Sequence, residues 1–177
     1  IAHVPDADRC VPPDLAADGN VLLLLGHTEP EFAGSHLDLI QEPPDDLGVA
    51  PAPDPDAASS YRRLHSAIQA GLVESCHDLS EGGLAVALAE MCIAGRLGAE
   101  IETLPHDDLV TALFSESSGR LIVEVTPRSV SAFMKVMDDR ALRIGEVIDT
   151  PQLHLPGIES LDVADLANAF NTTDGMT

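Results

Sequence analysis

Lysine is almost missing from this chain. Thirty acidic residues face nine basic ones, and Lys135 is the single lysine, which leaves a formal charge of −21 at neutral pH. A surface of that sign repels phosphate backbones, so nucleic acids and anionic membranes are excluded as partners. Two readings of the excess stay open. One is an ordinary acidic surface; the other, favoured by the scarcity of lysine, is adaptation to a salt-rich cytoplasm, where dense carboxylates keep a protein soluble while counterions screen their repulsion.

Cysteine is scarce as well. Cys10, Cys76 and Cys92 form no CxxC pair and have no histidine at metal-ligand spacing, which excludes a disulfide framework or a zinc site and points to a reducing cytoplasm. Nothing approaches the roughly 20 apolar residues that a membrane-spanning helix needs; the longest comparable run is Val21–Gly26. The first residues lack the basic and apolar regions of an export signal. The protein reads as soluble, and since the chain opens at Ile1 rather than at a methionine, a fragment and a stand-alone domain both stay open. No internal repeat is visible.

What is present suits one domain: 177 residues, 45% of them hydrophobic, are enough for a core with loose ends. Residues 1–19, with scattered Pro and Asp, read as an extended lead-in. "NVLLLLG" follows as a buried strand between Gly19 and Gly26. In "TEPEFAGSHLDLI", Thr28 is placed to cap a short helix with Pro30 and Glu31 in its first turn. Residues 41–56, dense in Pro and Asp, read as a mobile loop, since neither helix nor central strand tolerates that composition. Tyr61, Leu64, Ile68 and Leu72 then share a helical face.

"LVESCHD" reads as a strand, "GGLAVALAEMCIAG" as a helix apolar almost all round and so buried, ended by Gly95 and Gly98. "GAEIET" is a strand, "DDLVTALFSESSG" a helical turn and loop, and "RLIVEVT" a strand with Leu121, Val123 and Val125 on one face. A helix from Pro127, strands "LRIGEVI" and "QLHLPG", and a Ser-capped helix in "SLDVADLANAF" complete the domain at residue 170, with 171–177 a frayed tail. Strands alternating with helices give an α/β fold, a single domain with helices packed on a mixed sheet.

Two loops can carry chemistry. In "HDLSEGGL", Ser80 or Glu81 stands where a helix N-cap belongs, after Asp78, and Gly82 and Gly83 let a backbone or a ligand come close. The loop is either a phosphate or nucleotide contact or a capped helix start whose glycines allow tight packing; the acids Asp78 and Glu81 disfavour a phosphate unless a metal or basic group shares the site. In "LFSESSGR", the hydroxyls and carboxylate of Ser115, Glu116, Ser117 and Ser118 can hydrogen-bond ribose or amide groups, while Arg120 can pair with a phosphate or with Glu116. His77 beside Cys76 looks like half of a nucleophile pair, but neighbours on a strand point to opposite faces, which removes cysteine catalysis. The other histidines, His3, His27, His36, His65, His106 and His154, share no spacing and are assigned no metal.

Taken in order, "GSHLDL" (34–39), "HDLSEGGLAVALAEM" (77–91), "LFSESSGRLIVEV" (113–125) and "IGEVID" (144–149) closely resemble the C-terminal domain of the phosphoribosylformylglycinamidine synthase large subunit, over roughly residues 20–170. The "HDLSEGGL" form of the glycine loop is similar to that family's second half. The resemblance implies an aminoimidazole ribonucleotide synthetase-like C-domain fold in an ATP-dependent carbon–nitrogen ligase of purine biosynthesis. It further implies ATP and Mg held mainly by domains absent from this chain, a preceding ATP-binding-type N-domain, a glutaminase subunit that supplies ammonia, and a small accessory subunit. The cleft wall it implies is Asp78, Ser80, Glu81, Gly82, Gly83, Ser115, Glu116, Ser117 and Arg120, with no catalytic residue and no metal ligand. Ser118 stands where the first-half loop of the family has glutamine, so the implied site is a pseudo-active one that stabilises the enzyme or holds an auxiliary nucleotide, inactive alone. The C-domains of aminoimidazole ribonucleotide synthetase, selenophosphate synthetase, thiamine-phosphate kinase and the hydrogenase-maturation dehydratase stay open as alternatives, as does a free-standing interaction domain.

The charge imbalance carries a direct test. If the acidic surface is a salt adaptation, the thermal unfolding midpoint followed by circular dichroism rises from low salt to molar KCl; a midpoint indifferent to KCl removes that reading.

Overall fold

A computed structural model describes residues 4, 6–40, 49–138 and 140–172 of the chain. The described elements run β1 (Val21–Leu25), α1 (His36–Ile40), α2 (Ala57–Gln69), β2 (Ser75–Asp78), α3 (Gly83–Gly95), β3 (Gly98–Ile101), α4 (Leu109–Phe114), β4 (Leu121–Val125), α5 (Val130–Val136), β5 (Ala141–Ile148), β6 (Gln152–His154), β7 (Leu161–Asp162) and α6 (Val163–Asn171). The strands form one mixed sheet in the order β2-β4-β1-β5-β3-β6-β7. All neighbouring pairs are antiparallel except β3 with β6.

Helices cover both faces of this sheet, which is why β1 is an unbroken apolar run rather than an alternating one. Leu22 and Leu24 face α3, whose Leu84, Leu88, Met91 and Cys92 are fully buried, together with Ile122 and Ile144. Val21, Leu23 and Leu25 face the other way, onto Leu64 and Ala67 of α2 and Phe133 of α5, with Val123 and Val125. Gly145 is required where β5 meets β3, because a Cβ there would lie 2.0 Å from the Glu100 carbonyl oxygen.

One acidic residue lies between these apolar layers. Glu124 of β4 is 0% exposed, and its carboxylate accepts from the backbone N–H groups of Ala16 and Ala17 at 2.8 and 3.1 Å, from Asn20 Nδ2 at 2.6 Å and from Ser75 Oγ at 2.8 Å. The residues before β1 are thereby tied to the sheet. Leu15 is buried, its N–H donates to the Met91 carbonyl, and Pro12 accepts from the N–H of Cys76, which covers the outer edge of β2.

Several expected boundaries differ. The lead-in contains a 3-10 turn at Ala7–Arg9 capped by Asp6, and its last residues belong to the core. Thr28 caps no helix: the first helical turn comes only at His36–Ile40, and Thr28 accepts a bond from Arg120 instead. Tyr61 is 46% exposed and Leu72 lies beyond α2, so the buried face of that helix centres on Leu64 and Ala67. Gly95 is inside α3 and Gly98 inside β3; Arg96 takes the left-handed position that ends the helix, at φ 56°. Asp162 rather than Ser160 caps α6, accepting from the N–H of Ala164, because Leu161–Asp162 pair with β6 first. Of the Pro/Asp-rich stretch, 41–48 lies outside the described residues, and 51–54 carry no regular structure. Of the tail, Asn171 closes α6 and 173–177 lie outside the described residues.

The Glu124 hub sets a clear order of costs. Glu124→Ala strands four donors in or beside the core and lowers stability by about 3 kcal/mol or more in urea unfolding, whereas Ser75→Ala, which removes one donor, costs about 1 kcal/mol. Equal midpoints for Glu124→Ala and the parent chain would show that the hub is dispensable.

Candidate functional site

The C-terminal ends of β1 and β2 and the start of β4 meet at one end of the sheet, where Leu25 and Asp78 both stand opposite Leu121. Three loops leave from there: the segment after β1, the glycine loop before α3, and Ser115–Arg120 before β4. The last of these stitches the others together.

The serines and the glutamate of that loop bond backbone groups of the other segments. Ser115 Oγ donates to the Glu29 carbonyl at 2.6 Å, and Ser117 Oγ accepts from the Glu29 N–H at 3.0 Å. Ser118 Oγ accepts from the Asp54 N–H at 3.0 Å. Glu116 Oε1 accepts from the backbone N–H groups of Gly82 at 2.8 Å and His36 at 2.9 Å, with His36 Nδ1 3.6 Å away. A carboxylate from a distant loop therefore occupies the N-terminus of α3, where the helix dipole favours negative charge. The N-cap is Gly82, at φ 77°, and neither Ser80 nor Glu81 fills that role. Ser80 Oγ instead donates to the Asp78 carboxylate, and Glu81 is exposed, its Oε2 3.9 Å from His36 Nε2.

Gly82 answers to its left-handed φ, and Gly83 to packing. Gly83 has φ 65°, and a Cβ on it would lie 2.4 Å from the Ser115 carbonyl oxygen, so the helix start rests directly on the serine loop. The loop forms a tightly packed helix start, with the Glu116 carboxylate of the chain itself against the Gly82 amide.

Arg120 is 1% exposed. Its guanidinium donates to the Ser117 carbonyl at 3.1 Å, to Thr28 Oγ1 at 3.0 Å and to the Ser115 carbonyl. Burial pushes its pKa down to about 10, against the pull of the Glu31 and Glu116 carboxylates, so it stays charged at neutral pH. It holds the loop from within, bonded to neither Glu116 nor any surface a phosphate can reach.

On the β2 side, His77 Nε2 meets Glu90 Oε2 at 2.9 Å, and its Nδ1 lies 3.4 Å from Asp78 Oδ1. The Ser80 hydroxyl, first, and then the Asp78 backbone and His77 hold the Asp78 carboxyl below the usual range, against partial burial. Cys76 is inert as a nucleophile: burial, with Asp78 adding to it, pushes its thiol up to about 12.

A recess of about 210 Å³ opens beside the serine loop, lined by His27, Glu29, Glu31, Asp54, Ser117 and Ser118 among others. Asp78, Ser80, Glu81, Gly82 and Gly83 are not on its wall. Among the described residues no group of three or more His, Cys, Asp and Glu side chains is arranged to hold a metal ion. Sequence reasoning missed the partners contributed by the chain after β1, namely Thr28, Glu29 and the His36 amide. The quoted "GSHLDL" marked the stretch, but a backbone N–H carries no residue signature.

Residues 17–156 match the family described as AIR synthase related protein, C-terminal domain. The phosphoribosylformylglycinamidine synthase subunit PurL of Cutibacterium acnes is 35% identical over 171 residues, which is 94% of this chain and 23% of that relative. The chain thus spans less than a third of the relative it resembles. Among solved structures, Thermotoga maritima PurL complexed with FGAR superposes with a TM-score of 0.75 at 22% identity, over 91% of this chain and 30% of that one. T. maritima PurL complexed with ATP superposes with a TM-score of 0.68, also at 22% identity, over 91% of this chain and 28% of that one. At that identity the structures speak for the fold alone.

Removing the shared carboxylate should loosen the glycine loop and the His36 turn together. In Glu116→Ala the amides of Gly82 and His36 lose protection in hydrogen exchange, and stability falls by about 1–3 kcal/mol. Unchanged protection at either amide would show that the loops are held independently of Glu116.

Proposed function

The chain belongs to the AIR synthase related protein C-terminal domain family, and from that membership we propose that it is the closing C-domain of a phosphoribosylformylglycinamidine synthase large subunit. The observation that carries this reading is the meeting of the three motifs "GSHLDL", "HDLSEGGL" and "SESSGR" on the single carboxylate of Glu116. Motifs separated by about forty residues each have reason to recur in one order if their loops build one wall.

In this reading the whole enzyme uses ATP to activate the amide oxygen of formylglycinamide ribonucleotide, and ammonia displaces the phosphate. A glutaminase subunit delivers the ammonia, a small accessory subunit completes the complex, and the assembly works in the cytoplasm. The present chain supplies one wall of a cleft whose other wall is an ATP-binding-type N-domain. In this reading the exposed Asp78, Ser80 and Glu81, with the half-buried Gly82 and Glu116, turn to that cleft, and the buried Gly83, Ser115, Ser117 and Arg120 support them from behind.

The residues of this chain do not fit ATP with magnesium by themselves. The N–H of Gly82, the N-cap of α3, is taken by Glu116, Arg120 is buried against carbonyls, and the recess beside the serine loop is lined by Glu29, Glu31 and Asp54, which repel a triphosphate. The chain is accordingly a structural, non-catalytic wall and inactive alone.

Calorimetric titration of ATP with magnesium in molar KCl tests this, using the 177-residue chain and a longer protein that includes the preceding domain. Heat of binding is expected from the longer protein only. Comparable binding by the short chain would mean that it carries its own nucleotide site and overturns the composite-wall reading.

A further inference from the structure

Between α3 and α6 runs an apolar groove of about 460 Å³, walled by Ala85, Ala89 and Ile93 on one side and Leu166 and Phe170 on the other, with Leu153 at its base. It borders the loops described above, since Phe114 precedes Ser115 and Glu90 also meets His77 Nε2 at 2.9 Å. The apolar stripe of α6 repeats at helical spacing through Val163, Leu166 and Phe170, yet its cover runs out: Val163 is buried, Leu166 half-buried and Phe170 64% exposed. Ile158 and Leu161, also on the groove, are each 36% exposed. A continuous apolar surface of this kind, rather than single scattered residues, marks a contact site.

Charge decides what kind. Glu90 lines the groove, and Glu159, Asp162 and Asp165, next in sequence to the lining residues Ile158, Leu161 and Leu166, are exposed. No lysine or arginine occurs in α3, and none follows Arg143 in the chain. A second copy of this chain brings the same acids and the same charge of −21, and an anionic lipid surface is repelled in the same way.

We propose that this groove seats an amphipathic helix of a partner polypeptide whose apolar stripe is flanked by lysine or arginine. Apolar anchors spaced i, i+3 or i+4, and i+7 cover Phe170 and Ile158, while the basic flanks meet Glu90, Glu159 and Asp165. The proposal rests on this surface alone and is independent of the ligase reading.

The test titrates a synthetic amphipathic helical peptide with leucine anchors and Lys/Arg flanks into the isotope-labelled chain, beside a twin peptide with Glu flanks. Amide shift changes are expected at Val86, Ile158 and Phe170, with the acidic twin at least about tenfold weaker. Phe170→Gln, a change at an exposed position, should leave the melting midpoint unchanged and weaken the basic peptide by about tenfold or more; Ile158→Gln on the facing segment serves as the second variant. Equal affinity for the two peptides, shifts confined to other surfaces, or no binding of either overturns the proposal. Self-association of the chain in light scattering that Phe170→Gln abolishes would also overturn it, in favour of a second copy.

Discussion

The Glu124 carboxylate, on the strand next to the β2 edge of the sheet, has no exposed surface, and its oxygens are met by four donors. Those donors come from Ala16, Ala17, Asn20 and Ser75, segments that precede β1 or belong to β2. A buried charge is tolerated only when its lone pairs are met, and meeting these forces the segment before β1 into place across the sheet. Once it is there, Leu15 closes the layer against α3, and Pro12 covers the open edge of β2. The two apolar layers either side of β1 then have fixed boundaries.

The loop end of the sheet obeys the same rule with different groups. Arg120 is buried, and three oxygens receive its donors; Glu116 meets two backbone N–H groups from loops far apart in sequence. Hydroxyls of Ser115, Ser117 and Ser118 complete the set by bonding the backbone of Glu29 and Asp54. Polar residues that resemble a ligand site are thus engaged with the chain itself. That arrangement leaves few of these side chains as free donors.

Much of the fold was legible because its causes are local. An unbroken run of leucines announced a strand covered on both faces, and a helix apolar all round announced the buried α3. Boundaries were less legible. Ser160 and Thr28 have the chemistry of caps, yet strand pairing at Leu161–Asp162 and the reach of Arg120 claimed those places. Arg96 ends α3 in a conformation usually left to glycine, since the following Gly98 is needed where a Cβ would lie 2.1 Å from the Thr150 carbonyl.

The sequence by itself determined the α/β class, the buried helix and strand, the charge, and the three motifs that mark one kind of loop cluster, because periodicity and residue type act over a few positions. Only the tertiary structure decided what those motifs do. Glu116 meets backbone N–H groups that arrive from 34 and 80 residues away, and Arg120 turns inward to the nearby carbonyls of Ser115 and Ser117 and to the Thr28 hydroxyl brought from the segment after β1. A backbone N–H or C=O looks the same in every residue, so its arrival leaves no mark in the sequence.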